Sequence, residues 1–285
     1  MSKFSAPAEE LPFHFLEAYQ KETPENVALF AAAEKGDGAE VKALLERGAY
    51  ANWFEEARTG GMTAVHVAAR AESSDALDAL LAFEAAEEAY APRFDLKSTA
   101  SKSSPLHEAA QAGAAANVAL LLAAPGVAID GVNAYGDTAL ALACAANSSA
   151  AAKVLLDAAA DPRAANARGQ RPLHLAVAGV AAALRRGTDG DAALDVVKLL
   201  LAEKADPNAP DGHGQTPLHH VAAMRETEAT VKLAKLLLAN KAQSKIRDAN
   251  GQRPSELGAN RATPRGELKA LLKSHERLIV DSTTF

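Results

Sequence analysis

The run Thr216-Pro217-Leu218-His219 constrains this chain more than any other feature, because it recurs. Related copies begin at Thr63 (TAVHVAA), Ser104 (SPLHEAA), Thr138 (TALALAC), Arg171 (RPLHLAV) and Thr216 (TPLHHVA), with a worn copy at Arg253 (RPSELG). Their first residues lie 41, 34, 33, 45 and 37 positions apart. A unit of about 33 residues with insertions accounts for all five intervals. A second apolar segment rich in leucine recurs with them, as in Val118–Leu122, Val154–Leu156, Val197–Leu201 and Leu236–Leu238. Turn residues come next, then a glycine-bearing tip such as Tyr135-Gly136-Asp137, Arg168-Gly169-Gln170, His213-Gly214-Gln215 or Asn250-Gly251-Gln252.

The short motif reads as a helix start. A Thr or Ser there is expected to accept from the free N–H groups of the first turn. Proline at the first helical position leaves no N–H unsatisfied. Leucine and the paired alanines are expected to face neighbouring helices, the alanines letting them approach closely.

Together these features resemble the ankyrin repeat, over roughly residues 26–274. The resemblance implies an all-α solenoid of about seven helix-turn-helix repeats joined by hairpin loops. Residues 1–25 and 275–285 are expected to be tails. The segment Asn26–Ala51 is read as an N-terminal repeat lacking the motif, with Phe30 at the histidine slot. The first and last repeats are expected to be degenerate caps. The resemblance also implies that His66, His107, His174 and His219 tie helix start to hairpin by hydrogen bonds. His220 stands where other copies carry an apolar residue, and it is expected to hold structure and bind no metal, since no further ligands are spaced for a site.

Composition agrees with a close-packed helical chain. It is 48% hydrophobic but only 5% aromatic. No apolar run approaches the ~20 residues of a membrane span. The opening MSKFSAPAEELPFHF lacks a signal-type apolar stretch, and the one cysteine, Cys144, has no disulfide partner. A cytoplasmic setting is therefore expected. Charge is uneven: the net -6 divides into -11 for residues 1–142 (10 Lys+Arg, 21 Asp+Glu) and +5 for residues 143–285 (20 against 15).

Catalytic patterns are missing. The sequence has no GxxxxGK[ST], HExxH, CxxC or GxSxG, and Cys144 is read as a small buried hydrophobe. No enzyme activity, cofactor or metal is expected.

The expected function is a non-catalytic adaptor or scaffold that binds protein through a concave surface of hairpin tips and inner-helix ends. The alternative is a fixed structural subunit of a large assembly, such as a cytoskeletal or ciliary complex, with both tails held by neighbours. The resemblance places binding residues at Arg70, Gln111, Tyr135, Arg168, His213, Met224, Arg225 and Asn250. Two departures from the repeat add aromatics and arginine, the types that anchor interfaces. They are Trp53, Phe54 and Arg58 in one hairpin, and Tyr90, Arg93 and Phe94 in an insertion around residues 84–102. These side chains either meet a partner or cover the ends of neighbouring helices. Ala145, Ala146, Ala178 and Gly179 form a small-residue stretch that either admits a partner segment or goes unused. A second insertion, Leu184–Asp191, reads as an extended helix and a mobile loop.

The basic C-terminal end, including Lys241, Lys245, Arg247, Arg253, Lys269 and Lys273, is read first as a solvated, charged cap and second as a match for an acidic protein surface. Nucleic acid is not expected, because the total charge is negative and stacking aromatics are few. Neither a membrane span nor obligate homo-oligomerisation is expected. The N-terminal Phe4, Leu11, Phe13, Phe15, Leu16 and Tyr19 are expected to cover the first repeat. The end Thr283-Thr284-Phe285 weakly resembles a ligand for carboxylate-capturing domains.

Overall fold

Paired helices recur through residues 22–54, 60–84, 90–188, 190–257 and 266–281, the residues described by the computed structural model. Among these there are thirteen α-helices, one 3-10 turn and no strand. The chain forms two compact units, Met1–Ala134 and Tyr135–Phe285.

The first unit pairs α1 (Pro24–Lys35) with α2 (Gly38–Glu46), α3 (Ala64–Arg70) with α4 (Asp75–Leu81), and α5 (Pro105–Ala112) with α6 (Ala115–Ala123). The motif helices α1, α3 and α5 pack side by side, and α2, α4 and α6 form a second row. In the second unit the motif helices are α7 (Ala139–Ala145), α9 (Pro172–Arg186), α11 (Pro217–Ala223) and the 3-10 turn Pro254–Glu256. Their companions are α8 (Ser149–Asp157), α10 (Gly190–Ala202), α12 (Glu228–Ala239) and α13 (Glu267–Asp281). Here too each row packs against its own kind. The motif leucines Leu106, Leu140, Leu173 and Leu218 are buried, as are the small pairs Ala68–Ala69 and Ala109–Ala110. A buried leucine contributes about 1.5–3 kcal/mol, while the alanines let neighbouring helices lie close enough to share that layer.

The histidines make the ties that the resemblance implies for His66, His174 and His219. In each, Nδ1 accepts from the backbone N–H of the residue opening the motif: Thr63 (3.2 Å), Arg171 (3.2 Å) and Thr216 (3.1 Å). Nε2–H then donates 3.1 Å to a carbonyl of the following hairpin, Ser103, Gln215 or Gln252. In His107, Nδ1 accepts from Ser104 N–H at 3.2 Å. An acceptor Nδ1 and a donor Nε2 require the neutral ring.

This arrangement revises the expected cap. Where histidine is present, the Thr or Ser hydroxyl lies 2.8–3.0 Å from Nδ1 and is positioned to donate to it. At Thr138 the histidine slot holds Ala141, and the hydroxyl accepts from Ala141 N–H at 3.2 Å instead. The side chain three residues along decides which way the hydroxyl turns.

The first repeat starts earlier than the motif count suggests. Thr23 and Pro24 open α1, with Thr23 Oγ1 accepting from Asn26 N–H at 3.1 Å, so the histidine slot falls at Asn26 and not at Phe30 as expected. Asn26 is buried, and its Oδ1 accepts from Tyr50 N–H at 2.7 Å, tying helix to turn in histidine's stead.

The small-residue stretch has a packing explanation. A Cβ on Gly179 would lie 2.5 Å from Asn147 Oδ1 and 2.9 Å from the Cys144 and Ala145 carbonyl oxygens. Glycine there lets α9 continue past the end of α7. The second insertion is mostly helical: α9 runs to Arg186 and α10 starts at Gly190, so the expected loop shrinks to a short connection.

Burial pushes the pKa of His66 and of His174 down to about 4, because it penalises the cation. The unfolded chain takes up these protons near pH 6.5, whereas the folded chain resists until about 4. The stabilisation is therefore complete above about pH 6.5 and is lost as pH falls towards 4, at roughly 2–3 kcal/mol per histidine. Urea denaturation from pH 7 to 4 is expected to show this loss, with a shallower slope in His66→Asn. A slope that His66→Asn leaves unchanged would contradict the assignment.

Candidate protein-binding surface

Consecutive hairpins of the second unit are joined by backbone hydrogen bonds at their tips. Tyr135 O accepts from Ala167 N–H (3.0 Å), Arg168 O from Gly212 N–H (2.9 Å) and His213 O from Ala249 N–H (3.0 Å). Each tip is closed by a side chain at its base. Asn166 Oδ1, Asp211 Oδ1 and Asp248 Oδ1 each accept two backbone N–H groups at 2.8–2.9 Å. Gly169 has φ +73°, and a Cβ there would lie 2.5 Å from Gly212 N. The approach of one hairpin to the next therefore needs a residue without a side chain. Tyr135, Arg168, His213 and Asn250 are exposed along this ladder. Tyr135, at 64% exposure, is the most exposed large hydrophobic side chain among the described residues. Of the helix-end positions in this unit, Arg225 is exposed and Met224 is half-buried.

In the first unit Arg70 and Gln111 are exposed at the ends of α3 and α5. Arg70 Nε stands 3.8 Å from Glu108 Oε2. Glu108 is buried, and burial raises its pKa, an effect partly offset by Arg70.

The two aromatic departures divide. Trp53 is 2% exposed and Phe94 6%, so both are core residues and neither is presented to a partner. The Trp53 ring meets Phe30 edge-on at 6.4 Å. Tyr90 remains 43% exposed and packs edge-on against the buried Tyr50 at 5.7 Å. Phe54 is half-buried. Arg93, also half-buried, forms a bidentate pair with Asp95 at 3.0 and 2.7 Å. Arg58 lies outside the described residues, as do the aromatics of residues 1–21 and the Thr283–Phe285 end. Asn52, not singled out in the sequence, holds the insertion down: its Nδ2 donates to Ala91 O and its Oδ1 accepts from Arg93 N–H, both at 2.8 Å. A polar residue beside a lone tryptophan carries no signal of a partner about forty positions away.

His220 joins Asp211 and His174 in a cluster whose candidate ligand atoms lie within 4.8 Å of one another. His220 Nε2 donates to Asp211 Oδ2 at 2.9 Å, and its ring meets His174 edge-on at 5.5 Å. Burial alone would raise the pKa of Asp211, but hydrogen bonds from His220, Gln215 and His213 outweigh it and hold the carboxylate below its usual range. Both nitrogens of His174 are already engaged by backbone groups. A metal would have to break the helix-to-hairpin tie to gain that ligand. The arrangement braces the hairpin base.

Cys144 is fully buried, and burial pushes its thiol well above the ordinary range, so it cannot supply a thiolate nucleophile. The basic end is partly neutralised internally: Arg253 pairs with Glu276 (3.5 Å), Arg247 with Glu256 (3.6 Å) and Lys235 with Glu267 (3.3 Å). Lys269 and Lys273 are exposed on α13. No helix among the described residues is long and apolar enough to cross a membrane.

Two outcomes test these placements. Trp53→Ala is expected to lower unfolding stability by about 3–5 kcal/mol; equilibrium denaturation within about 0.5 kcal/mol of the parent would return Trp53 to the surface. Calorimetric titration with zinc at neutral pH is expected to show no stoichiometric uptake. Stoichiometric zinc abolished by His220→Ala would reverse the structural reading of the cluster.

Comparison with known families agrees with this geometry. A model described as "Ankyrin repeats (3 copies)" matches residues 29–133, 82–166 and 106–191, and one described as "Ankyrin repeats (many copies)" matches residues 180–238. No curated protein matches the chain. Ankyrin repeats are generally protein–protein interaction modules rather than catalysts. With matches running from residue 29 to 238, and with histidine-tied helix pairs on hydrogen-bonded hairpins, the chain belongs to the ankyrin repeat family.

Proposed function

We propose that this protein is a non-catalytic adaptor or scaffold of the cytoplasm, binding a protein partner through hairpin tips and the exposed ends of its motif helices. The observation that carries the reading is the tip row of the second unit. Tyr135, Arg168, His213 and Asn250 project from a backbone tied hairpin to hairpin. Side chains on a backbone already held in place lose less entropy on binding than those of a free loop. Tyrosine and arginine are also the types that dominate interface energetics. In the first unit, Arg70, Gln111 and Tyr90 offer the corresponding exposed groups.

An affinity pull-down with mass spectrometry identifies the partner, and calorimetry on the purified pair measures its affinity. Tyr135→Ala combined with Arg168→Ala is expected to weaken binding by at least about tenfold, with the melting temperature unchanged. Unaltered affinity in that double variant would remove the tip row from the interface. Exposed Lys269 and Lys273 support an acidic patch on the partner. Reversing both charges should slow association at low salt and have little effect at high salt.

A further inference from the structure

The motif helix α9 has 15 residues, whereas its neighbours α7 and α11 have 7 each. Its extra turns end in a defined cap. Gly187 N–H donates to Leu184 O at 3.2 Å, and the Thr188 N–H and hydroxyl donate to Ala183 O at 3.1 and 2.9 Å. The extension faces the segment joining α11 to α12, and between them lies a groove of about 580 Å³. That volume falls within the range of sites that accept small ligands or a few peptide side chains.

The groove has a definite chemical pattern. Leu184 and Met224 supply large apolar surface from opposite walls, and Arg185 and Arg225 stand exposed beside them. Neither arginine forms an ion pair with a described residue. Glu226 marks one end: its Oε1 accepts from the backbone N–H groups of Glu267 (2.9 Å) and Leu268 (3.4 Å), which holds the carboxylate at the start of α13.

We propose that this groove docks a short segment of the partner protein in which acidic residues flank a large apolar side chain. The apolar side chain lodges between Leu184 and Met224, and its acidic neighbours meet Arg185 and Arg225, whose planar guanidinium groups suit bidentate pairing with carboxylates. The anchored Glu226 carboxylate repels an acid at its own end, which sets the direction of the segment. The same carboxylate disfavours a nucleic-acid backbone, which carries a charge at every nucleotide. The groove depends on the lengthened α9, so it is a feature of this chain and not of the repeat as such. The inference rests on the protein-binding reading above and names a second contact for the same partner.

Three methionines occur in the chain, Met1, Met62 and Met224, so methyl-labelled methionine gives an NMR reporter inside the groove and another in the first unit. The probe is a synthetic peptide with a leucine pair between glutamates, compared with its lysine counterpart and with a single-stranded oligonucleotide. The glutamate peptide is expected to shift the Met224 methyl saturably while Met62 stays still, and the lysine peptide to leave both unmoved. Arg185→Glu with Arg225→Glu should weaken the glutamate peptide by at least roughly tenfold. Equal shifts with the lysine peptide, a response to the oligonucleotide alone, or no shift at millimolar glutamate peptide would each overturn the proposal. A partner that binds this double variant with parental affinity would also sink it, while leaving the tip-row reading intact. Loss of partner binding in the tip variant alone, with the peptide still shifting Met224, would separate the two in the other direction.

Discussion

A neutral histidine ring held between two backbone groups is the interaction on which the repeat architecture depends. Nδ1 takes the N–H at a motif helix start, and Nε2–H reaches a carbonyl in the next hairpin. One side chain thereby satisfies two buried backbone groups that would each cost about 1–3 kcal/mol unpaired. It also fixes the distance between a helix and the hairpin that follows, so packing and hairpin placement are not independent. Burial keeps the ring uncharged, and an uncharged ring is the form able to accept at one nitrogen while donating at the other.

The binding surface follows from that tie. The hairpins closed at their bases by Asp211 and Asp248 are positioned by His174 and His219 of the preceding helices. The Asn166 hairpin is closed without a histidine tie, and the tip carbonyls at Arg168 and His213 meet the next hairpin's N–H. Tyr135, Arg168, His213 and Asn250 are exposed along the row of tips that these backbone bonds join. His220 shows how a local change is absorbed. A polar ring in a slot usually apolar turns to the free oxygen of Asp211 and strengthens the hairpin base instead of creating a reactive site.

How far the sequence could be read depended on how local each interaction is. The helix pairs and the tip glycines were legible because each recurs at a fixed offset, and a repeated offset implies a repeated contact, whereas the histidine ties followed from the resemblance to the ankyrin repeat. The exposed helix ends Arg70, Gln111 and Arg225 were legible for the same reason. The fate of Trp53 and Phe94 was not. Their side chains are of the kind that serves equally well in a core or at an interface, and only tertiary packing, with Trp53 against Phe30 of α1 and the 90–95 segment tied down by Asn52, makes them core. The early start of α1 was legible in principle from Thr23-Pro24, which lies within the spread of the other motif intervals, but Asn26 in place of histidine and Glu25 in place of leucine hide the copy.

The sequence by itself determined the repeated unit, its helical class and the residues that each copy turns inward, since these follow from spacing and side-chain type within one unit. Tertiary structure alone decided what depends on separations set by insertions of unequal length. Examples are the burial of Trp53, the role of Gly179 in letting α9 pass the end of α7, and the groove that places Arg185 opposite Met224 and Arg225. Those residues lie about forty positions apart with no shared periodicity. Their meeting is fixed by how far the capped end of α9 reaches, a length the chain encodes but whose consequence appears only when neighbouring helices are packed beside it.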